Sequence, residues 1–430
     1  MDTIKLENRK NRKVSKLADN IIGSEIIKIA GEVNEKIKNG EKVYNLTIGD
    51  FNSKVFPIPD ELKKAIIAAY EADETNYPAA DGMPELRQAV SNLLKTRGGL
   101  DYEPDQILIA GGARPIIYTI FRALVDPGDT VIFPVPSWNN NHYTYLNGAN
   151  AILVETKPEN NFMPVAEEIK PHIQKATLIS LCSPLNPTGT VFTKAALTAI
   201  CDMVIAENER REANEKPLYL MYDQIYWALT YGTTHHYDPV SLRPEMKEFT
   251  IYVDGISKSL AATGVRVGWS MGPQKIINKM KSILTHIGAW APKAEQVATG
   301  KYLSNLTHYD TFLTKMRQQL NDRLLGFYHG FQNLKNEGFQ VNAISPQAAL
   351  YLTVQFSLHG QKTENGTSLV KTKDITKYIL DEAKVALVPF YAFGSSDDSS
   401  WYRLSVGTCK MEDIEIIIEN LRKALQKLKK

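Results

Sequence analysis

The chain is predicted to be an α/β protein: a large domain on a mostly parallel sheet flanked by helices, followed by a smaller α+β domain. Two observations predict this. Short β-branched or apolar runs recur at 106–110, 130–134, 151–155, 177–181, 218–222, 249–253 and 267–271, and helical patterns such as Pro115–Leu124, Lys194–Asn208 and Lys275–Leu284 lie between most of them. Beyond about Tyr302 the alternation gives way to one long helical pattern, Tyr309–Asn333, and a shorter mixed region.

In chain order, residues 1–45 read as an N-terminal arm with one helix, Ile21–Asn39, closed by Gly40 as its C-cap. The arm's basic run (Arg9, Lys10, Arg12, Lys13, Lys16) lacks interleaved aromatic residues and reads as solvated. Residues 46–305 are assigned to the large domain, which opens with helices Asp60–Ala72 and Met83–Thr96. Residues 306–430 form the small domain, with strands near Ala348–Val354 and Tyr402–Ser405. Its last helix carries an apolar stripe (Ile414, Ile417, Ile418, Leu421, Leu425, Leu428) that suits a core-facing surface better than a membrane anchor.

The 430 residues are 43% hydrophobic and 23% charged, an ordinary globular balance. Fifty Lys+Arg against 48 Asp+Glu gives a net charge of +2, which argues against a nucleic-acid or membrane-surface binder. Three scattered cysteines (Cys182, Cys201, Cys409) suggest neither a disulfide framework nor a zinc site, and no other metal cluster is expected. With no apolar leader and no uninterrupted apolar run of about 18 residues, a cytoplasmic location is expected.

The unusual residues fall just after strands, where open parallel sheets bind ligands. Lys258 follows the run Phe249–Val253, and Arg266 comes eight residues later. A lysine among apolar and small neighbours has a lowered pKa and can form a Schiff base. An arginine behind it suits a phosphate. Gly111-Gly112-Ala113-Arg114-Pro115 reads as a turn into a helix, an anion site or a plain glycine turn. Ser183 to Gly189, with two prolines and a glycine, would hold Asn186 in a fixed direction. Asp223 suits either a pyridine nitrogen or a helix N-cap, with Tyr226 within reach. Trp138 offers a stacking face or core packing.

Together these segments, with Tyr77, Gly82 to Arg87 and Arg403-Leu404-Ser405, resemble the class I/II aminotransferases of the aspartate aminotransferase superfamily. Those are fold type I enzymes dependent on pyridoxal 5′-phosphate. The resemblance runs in order from about Asn45 to the C-terminus. It implies Lys258 as the Schiff-base lysine and proton carrier, Asp223 on the pyridine nitrogen, Asn186 and Tyr226 on the ring hydroxyl, and Trp138 stacked on the ring. It implies Arg266, the amides from Gly112 through Ala113 to Arg114, and Tyr77 of the other subunit as the phosphate site. Arg403 would grip the substrate carboxylate beside Asn186, with Gly49 closing nearby. A homodimer with shared active sites follows, acting on an amino acid and a 2-oxo acid, with aspartate and 2-oxoglutarate as the first guess. A C–S lyase of the same fold is the alternative, and a transcription regulator with this fold a more distant one.

The chain departs from the usual family pattern in four places. Gly255 stands where many relatives have serine, and Arg114 where neutral residues or lysine are common, suiting either the phosphate or a second substrate carboxylate. The usual Pro-Gly is missing from Pro389–Gly394, and Gly-Ala-Phe from Pro346–Leu350.

Overall fold

The computed structural model describes residues 14–21, 23 and 25–429. Four residues of the basic run (Arg9, Lys10, Arg12, Lys13) lie outside the described residues, as do Ile22 and Ser24 near the start of the expected first helix. That helix, α1, spans Glu25–Lys38. Gly40 ends it at φ +86°, with its amide on the Ile37 carbonyl.

The seven expected strands form one seven-stranded sheet. They are β1 (Ile107–Ala110), β2 (Thr130–Val135), β3 (Asn150–Glu155), β4 (Ala176–Cys182), β5 (Tyr219–Asp223), β6 (Thr250–Gly255) and β7 (Gly268–Met271), in the order β1-β7-β6-β5-β4-β2-β3. Only β7 is antiparallel to its neighbours. The other strand ends therefore point the same way, so the loops after them gather on one edge.

Helices cover both faces. On one face α4 (Ala113–Leu124) and α7 (Gln274–Ile287) bury Ile116, Ile120, Phe121, Ile277 and Leu284 against Leu108, Val131 and Ile251. On the other, α5 (Lys194–Arg210) and α8 (Lys293–Leu303) join a larger apolar cluster, with α2 (Asp60–Glu71) and α3 (Pro84–Leu93) near α8. Pro84 sits at the first turn of α3, where its missing N–H costs nothing. Helix α3 ends three residues short of the expected Thr96, because a π-turn, Leu94–Gly98, intervenes before Gly99 at φ +69°.

A separate four-stranded antiparallel sheet follows: β8 (Val341–Ala343), β9 (Tyr351–Phe356), β10 (Val388–Pro389) and β11 (Trp401–Ser405), ordered β10-β11-β9-β8. Its register sets Thr353 opposite Arg403 and Tyr351 opposite Ser405. Side chains two apart share a face, so Tyr351, Thr353, Arg403 and Ser405 lie on one side. The long helix α9 (Leu306–Asn336) backs this sheet, and α10 (Asp413–Gln426) packs on α9. The α10 stripe is buried from Ile414 to Leu425, with Leu428 partly covered.

Hydrogen bonds tie the small sheet to the loop after β4 and to residues 46–48. Thr353 Oγ1 donates to the Thr188 carbonyl at 2.8 Å, and residues 46–48 lie along β11 through Ser405 N to Leu46 O (2.9 Å) and Ser405 Oγ to Ile48 O (2.6 Å).

Candidate active site

A cavity of about 740 Å³ opens at the joined strand ends. Gly49, Ala113, Arg114, Trp138, Asn186, Asp223, Tyr226, Lys258, Arg266 and Arg403 all line it. Four separate strand-end segments thus converge, as their sequence positions predict.

Lys258 sits on α6 (Ile256–Ser259), a single turn begun by Gly255. A Cβ on Gly255 would lie 2.7 Å from Gly268 Cα and 2.9 Å from the Val267 carbonyl. The serine that many relatives have there does not fit this backbone. Lys258 Nζ donates to the Gly49 carbonyl at 2.7 Å. Burial lowers its pKa to about 8, with the Arg403, Arg114 and Arg266 cations adding to the effect and Asp50 opposing it.

Asp223 ends β5, and its carboxylate accepts from the Ile225 amide at 3.0 Å. Burial raises its pKa to about 6, against the pull of that amide and of Lys258. A carboxylate in this state is stabilised by a cationic partner. At the end of β4, Asn186 Oδ1 accepts from Arg403 Nη1 at 3.0 Å. Tyr226 is buried, and its hydroxyl lies 2.7 Å from that of Tyr351.

The start of α4 faces Arg266. Gly112 caps the helix at φ +92°, and a Cβ on it would lie 2.2 Å from Arg266 Nη2. The amides of Ala113 and Arg114 occupy the first two helical positions, where no intrahelical acceptor exists. Arg266 adopts φ +64°, a conformation rare for a non-glycine residue and frequent at functional sites. Its Nη1 donates to Thr263 O at 2.6 Å and its Nη2 to Gly111 O at 2.8 Å. Arg114 lies over the Trp138 ring, 4.7 Å from the centroid.

Arg403 is 2% exposed. Tyr351 and Phe393 flank its guanidinium at 4.8 and 4.9 Å from their ring centroids. Its Nη2 donates to Thr47 O at 2.6 Å, while its Nε has no partner. Among the described residues, Arg114, Arg266 and Arg403 make no ion pair. Three guanidiniums without an ion-pair partner share one cavity with only two carboxylates, Asp50 and Asp223, an arrangement for anions.

Two expected residues stand apart. Tyr77 is 82% exposed, packs edge-on against Trp290 at 5.4 Å and does not line this cavity. Gly112 borders the cavity as the cap of α4 without being part of its lining. Conversely, sequence reasoning missed Tyr351, Asp50, Thr263 and the α1 residues Ile26, Ile27 and Ala30, all of which line the cavity. Asp50 Oδ1 accepts from Thr263 Oγ1 at 2.7 Å. Its place beside Gly49 was the available signal. Cys182 ends β4, is partly buried and lines the cavity. Burial raises its thiol pKa well above the ordinary value, and its Sγ sits 3.3 Å from Pro184 O.

Comparison with known proteins agrees with this geometry. The family model of aminotransferase classes I and II matches residues 41–421. The chain belongs to the class I and II aminotransferases. It is 29% identical over 421 residues to the aspartate aminotransferase of Geobacillus stearothermophilus, covering 96% of this chain and 99% of that protein. It is 31% identical over 364 residues to a probable aspartate/prephenate aminotransferase of Rickettsia felis, with 84% of each covered. Its fold is similar to that of the aspartate aminotransferase from Rhizobium meliloti, with a TM-score of 0.89 at 26% identity, covering 97% of this chain and 100% of that one.

The enzyme is a pyridoxal-phosphate-dependent aminotransferase of fold type I. The cavity suits that cofactor: Gly112 leaves the space between α4 and Arg266 that a Cβ would fill, Asp223 offers a carboxylate at a strand end, and Lys258 lies in the same cavity. Among the described residues no group of three His, Cys, Asp or Glu side chains is placed to hold a metal. No helix among them is long and apolar enough to cross a membrane.

Proposed function

We propose that this aminotransferase takes the amino group from a dicarboxylic amino acid, aspartate first, passes it to a 2-oxo acid such as 2-oxoglutarate, and works as a homodimer with shared active sites. One observation supports this above the rest: the cavity holds three unpaired guanidiniums, Arg266, Arg403 and Arg114. A phosphate and one carboxylate account for two of them. A second substrate carboxylate accounts for Arg114.

When bound, pyridoxal phosphate supplies an aldehyde for Schiff-base formation and a ring that accepts electrons from the substrate Cα–H bond. In this reading Arg266 and the Ala113 and Arg114 amides hold the phosphate. Asp223 would hold the pyridine nitrogen in its protonated form, and Asn186 and Tyr226 would hold the ring hydroxyl. Trp138 gives the ring a flat wall. Arg403 binds the α-carboxylate through its free donor edge, with the Asn186 side chain already fixing its direction. Lys258 Nζ, whose pKa burial lowers to about 8, would carry the proton between the substrate Cα and the cofactor. Ile26, Ile27 and Ala30 of α1 add apolar surface to the cavity wall.

Residues 46–305 serve in this proposal as the cofactor-binding domain, 306–430 as the small domain and 1–45 as an arm. Exposed Tyr77 is assigned to the phosphate site of the second subunit.

A panel of amino donors with 2-oxoglutarate tests the reading. Aspartate or glutamate should turn over fastest, and Arg114→Gln should raise KM for them and leave a monocarboxylic donor unchanged. Release of pyruvate and ammonia without an acceptor would instead identify a C–S lyase. Mixing Lys258→Ala with Tyr77→Ala subunits should restore activity above either parent. No recovery in hybrids shown to form would mean that Tyr77 does not serve its neighbour.

A further inference from the structure

We propose that Tyr351 is a positioning residue for the cofactor's ring hydroxyl, acting through Tyr226 and linking it to the arginine that binds substrate. The inference rests on the cofactor reading above and adds a residue to it. The two hydroxyls are 2.7 Å apart, and the rings meet edge-on with centroids 5.6 Å apart. Both tyrosines are buried, and Tyr351 makes no other side-chain hydrogen bond among the described residues.

The donor count gives the pair a direction. Each tyrosine has one O–H proton. Burial raises both pKa values, so both groups are neutral at working pH. If Tyr226 gives its proton to the ring oxygen of the cofactor, its own oxygen must accept, and Tyr351 is the donor at hand. A donor chain of this kind is cooperative: Tyr226 becomes a stronger donor when it also accepts. The deprotonated ring oxygen is then favoured over the protonated one.

Tyr351 is itself held firmly. A Cβ on Gly49 would lie 2.8 Å from its hydroxyl, and a Cβ on Gly189 would lie 2.3 Å from its carbonyl. Both neighbouring segments therefore close on it, and a side chain at either glycine would push it away. The guanidinium of Arg403 lies 4.8 Å from its ring centroid. The titratable and charged groups facing the pair come from four other elements: Arg403 on β11, Cys182 at the end of β4, Asp50 after residues 46–49, and Lys258 on α6, whose Nζ is 5.7 Å from the Tyr226 centroid. Among these Arg403 alone is stacked on the Tyr351 ring. Its cation polarises the Tyr351 O–H outward, toward Tyr226. A carboxylate arriving on Arg403 therefore alters the ring hydroxyl without touching it.

The test uses the holoenzyme and reads the pH midpoint of the bound cofactor's visible absorbance change in wild type, Tyr351→Phe, Tyr226→Phe and the double variant. Phenylalanine keeps the ring, so a role limited to packing would leave the midpoint unmoved. Tyr351→Phe should raise the midpoint by roughly half a unit, the loss of one modest hydrogen bond. Tyr226→Phe should raise it further, and the double variant should match Tyr226→Phe, because Tyr351 acts only through Tyr226. An unchanged midpoint in Tyr351→Phe, or shifts that simply add in the double variant, overturns the proposal. Wild-type protein that develops no visible band with pyridoxal phosphate would overturn the cofactor assignment instead, so the two failures are distinct.

Discussion

Arg403→Met should separate substrate binding from folding. The side chain is buried, its charge has no acidic partner, and its Nε has no acceptor. A buried cation left in that state costs several kcal/mol of desolvation, and only an arriving anion offsets it. Methionine keeps most of the stem between the Tyr351 and Phe393 rings and removes the charge. Two charge-assisted bonds to a carboxylate are lost, each worth about 1.5–3 kcal/mol, so substrate binding should weaken by on the order of 3–4 kcal/mol and KM should rise by about two to three orders of magnitude.

The folded protein should change much less. The Thr47 carbonyl and Asn186 Oδ1 lose a donor, at about 1–3 kcal/mol for a buried acceptor left alone. Relief of the unpaired cation works in the opposite direction, so net stability should move by no more than about 2 kcal/mol. Steady-state kinetics give KM, a titration with pyridoxal phosphate gives cofactor affinity, and chemical denaturation gives stability. KM within about threefold of wild type, or loss of the cofactor in step with substrate, would refute the assignment of Arg403 to the substrate carboxylate.

Lys258→Ala should abolish both turnover and the visible band of the bound cofactor while leaving the melting curve of the cofactor-free protein near wild type; near wild-type turnover would remove Lys258 from the chemistry. Because the Lys258 pKa is lowered to about 8 and the neutral amine is the reactive form, borohydride trapping of pyridoxal phosphate should rise with pH and level off near that value. Asp50→Asn should move that midpoint down and Arg114→Gln should move it up, since the carboxylate raises the lysine pKa and the guanidinium lowers it; shifts of the same sign would contradict the placement of both charges. Gly112→Ala, whose Cβ would lie 2.2 Å from Arg266 Nη2 at a backbone φ of +92°, should weaken cofactor binding by at least about tenfold through displacement of one phosphate contact. Unaltered affinity in a folded Gly112→Ala protein would place the phosphate elsewhere.

Legibility in the sequence divides along a physical line. Lys258, Asp223, Asn186 and the Gly111–Pro115 turn each follow a run that is plainly a strand, and strands running in one direction bring their ends to one edge. Local pattern was therefore enough to gather them. The reversed direction of β7 was not legible, since its residues look like any other buried strand and only pairing reveals its direction. Tyr351 was hidden for a related reason. Its strand was expected near Ala348–Val354, but which residue faces the cavity depends on the register that sets Thr353 opposite Arg403, more than 40 positions away in sequence.

The two small-domain departures from the family pattern now have a location. Residues 348–350 lead directly into Tyr351, and residues 389–394 contain Phe393, so both segments build walls of the Arg403 site and neither touches Asp223, Arg266 or Lys258 through a hydrogen bond among the described residues. Changes there alter the rings that confine the guanidinium and leave the groups proposed to bind the cofactor in place. Substrate preference in this enzyme is therefore expected to differ from that of relatives with the usual motifs while cofactor binding does not. In the proposed reading, the way the Tyr351 and Phe393 rings set the Arg403 guanidinium between them, together with Arg114 in the same cavity, is what distinguishes one amino acid from another.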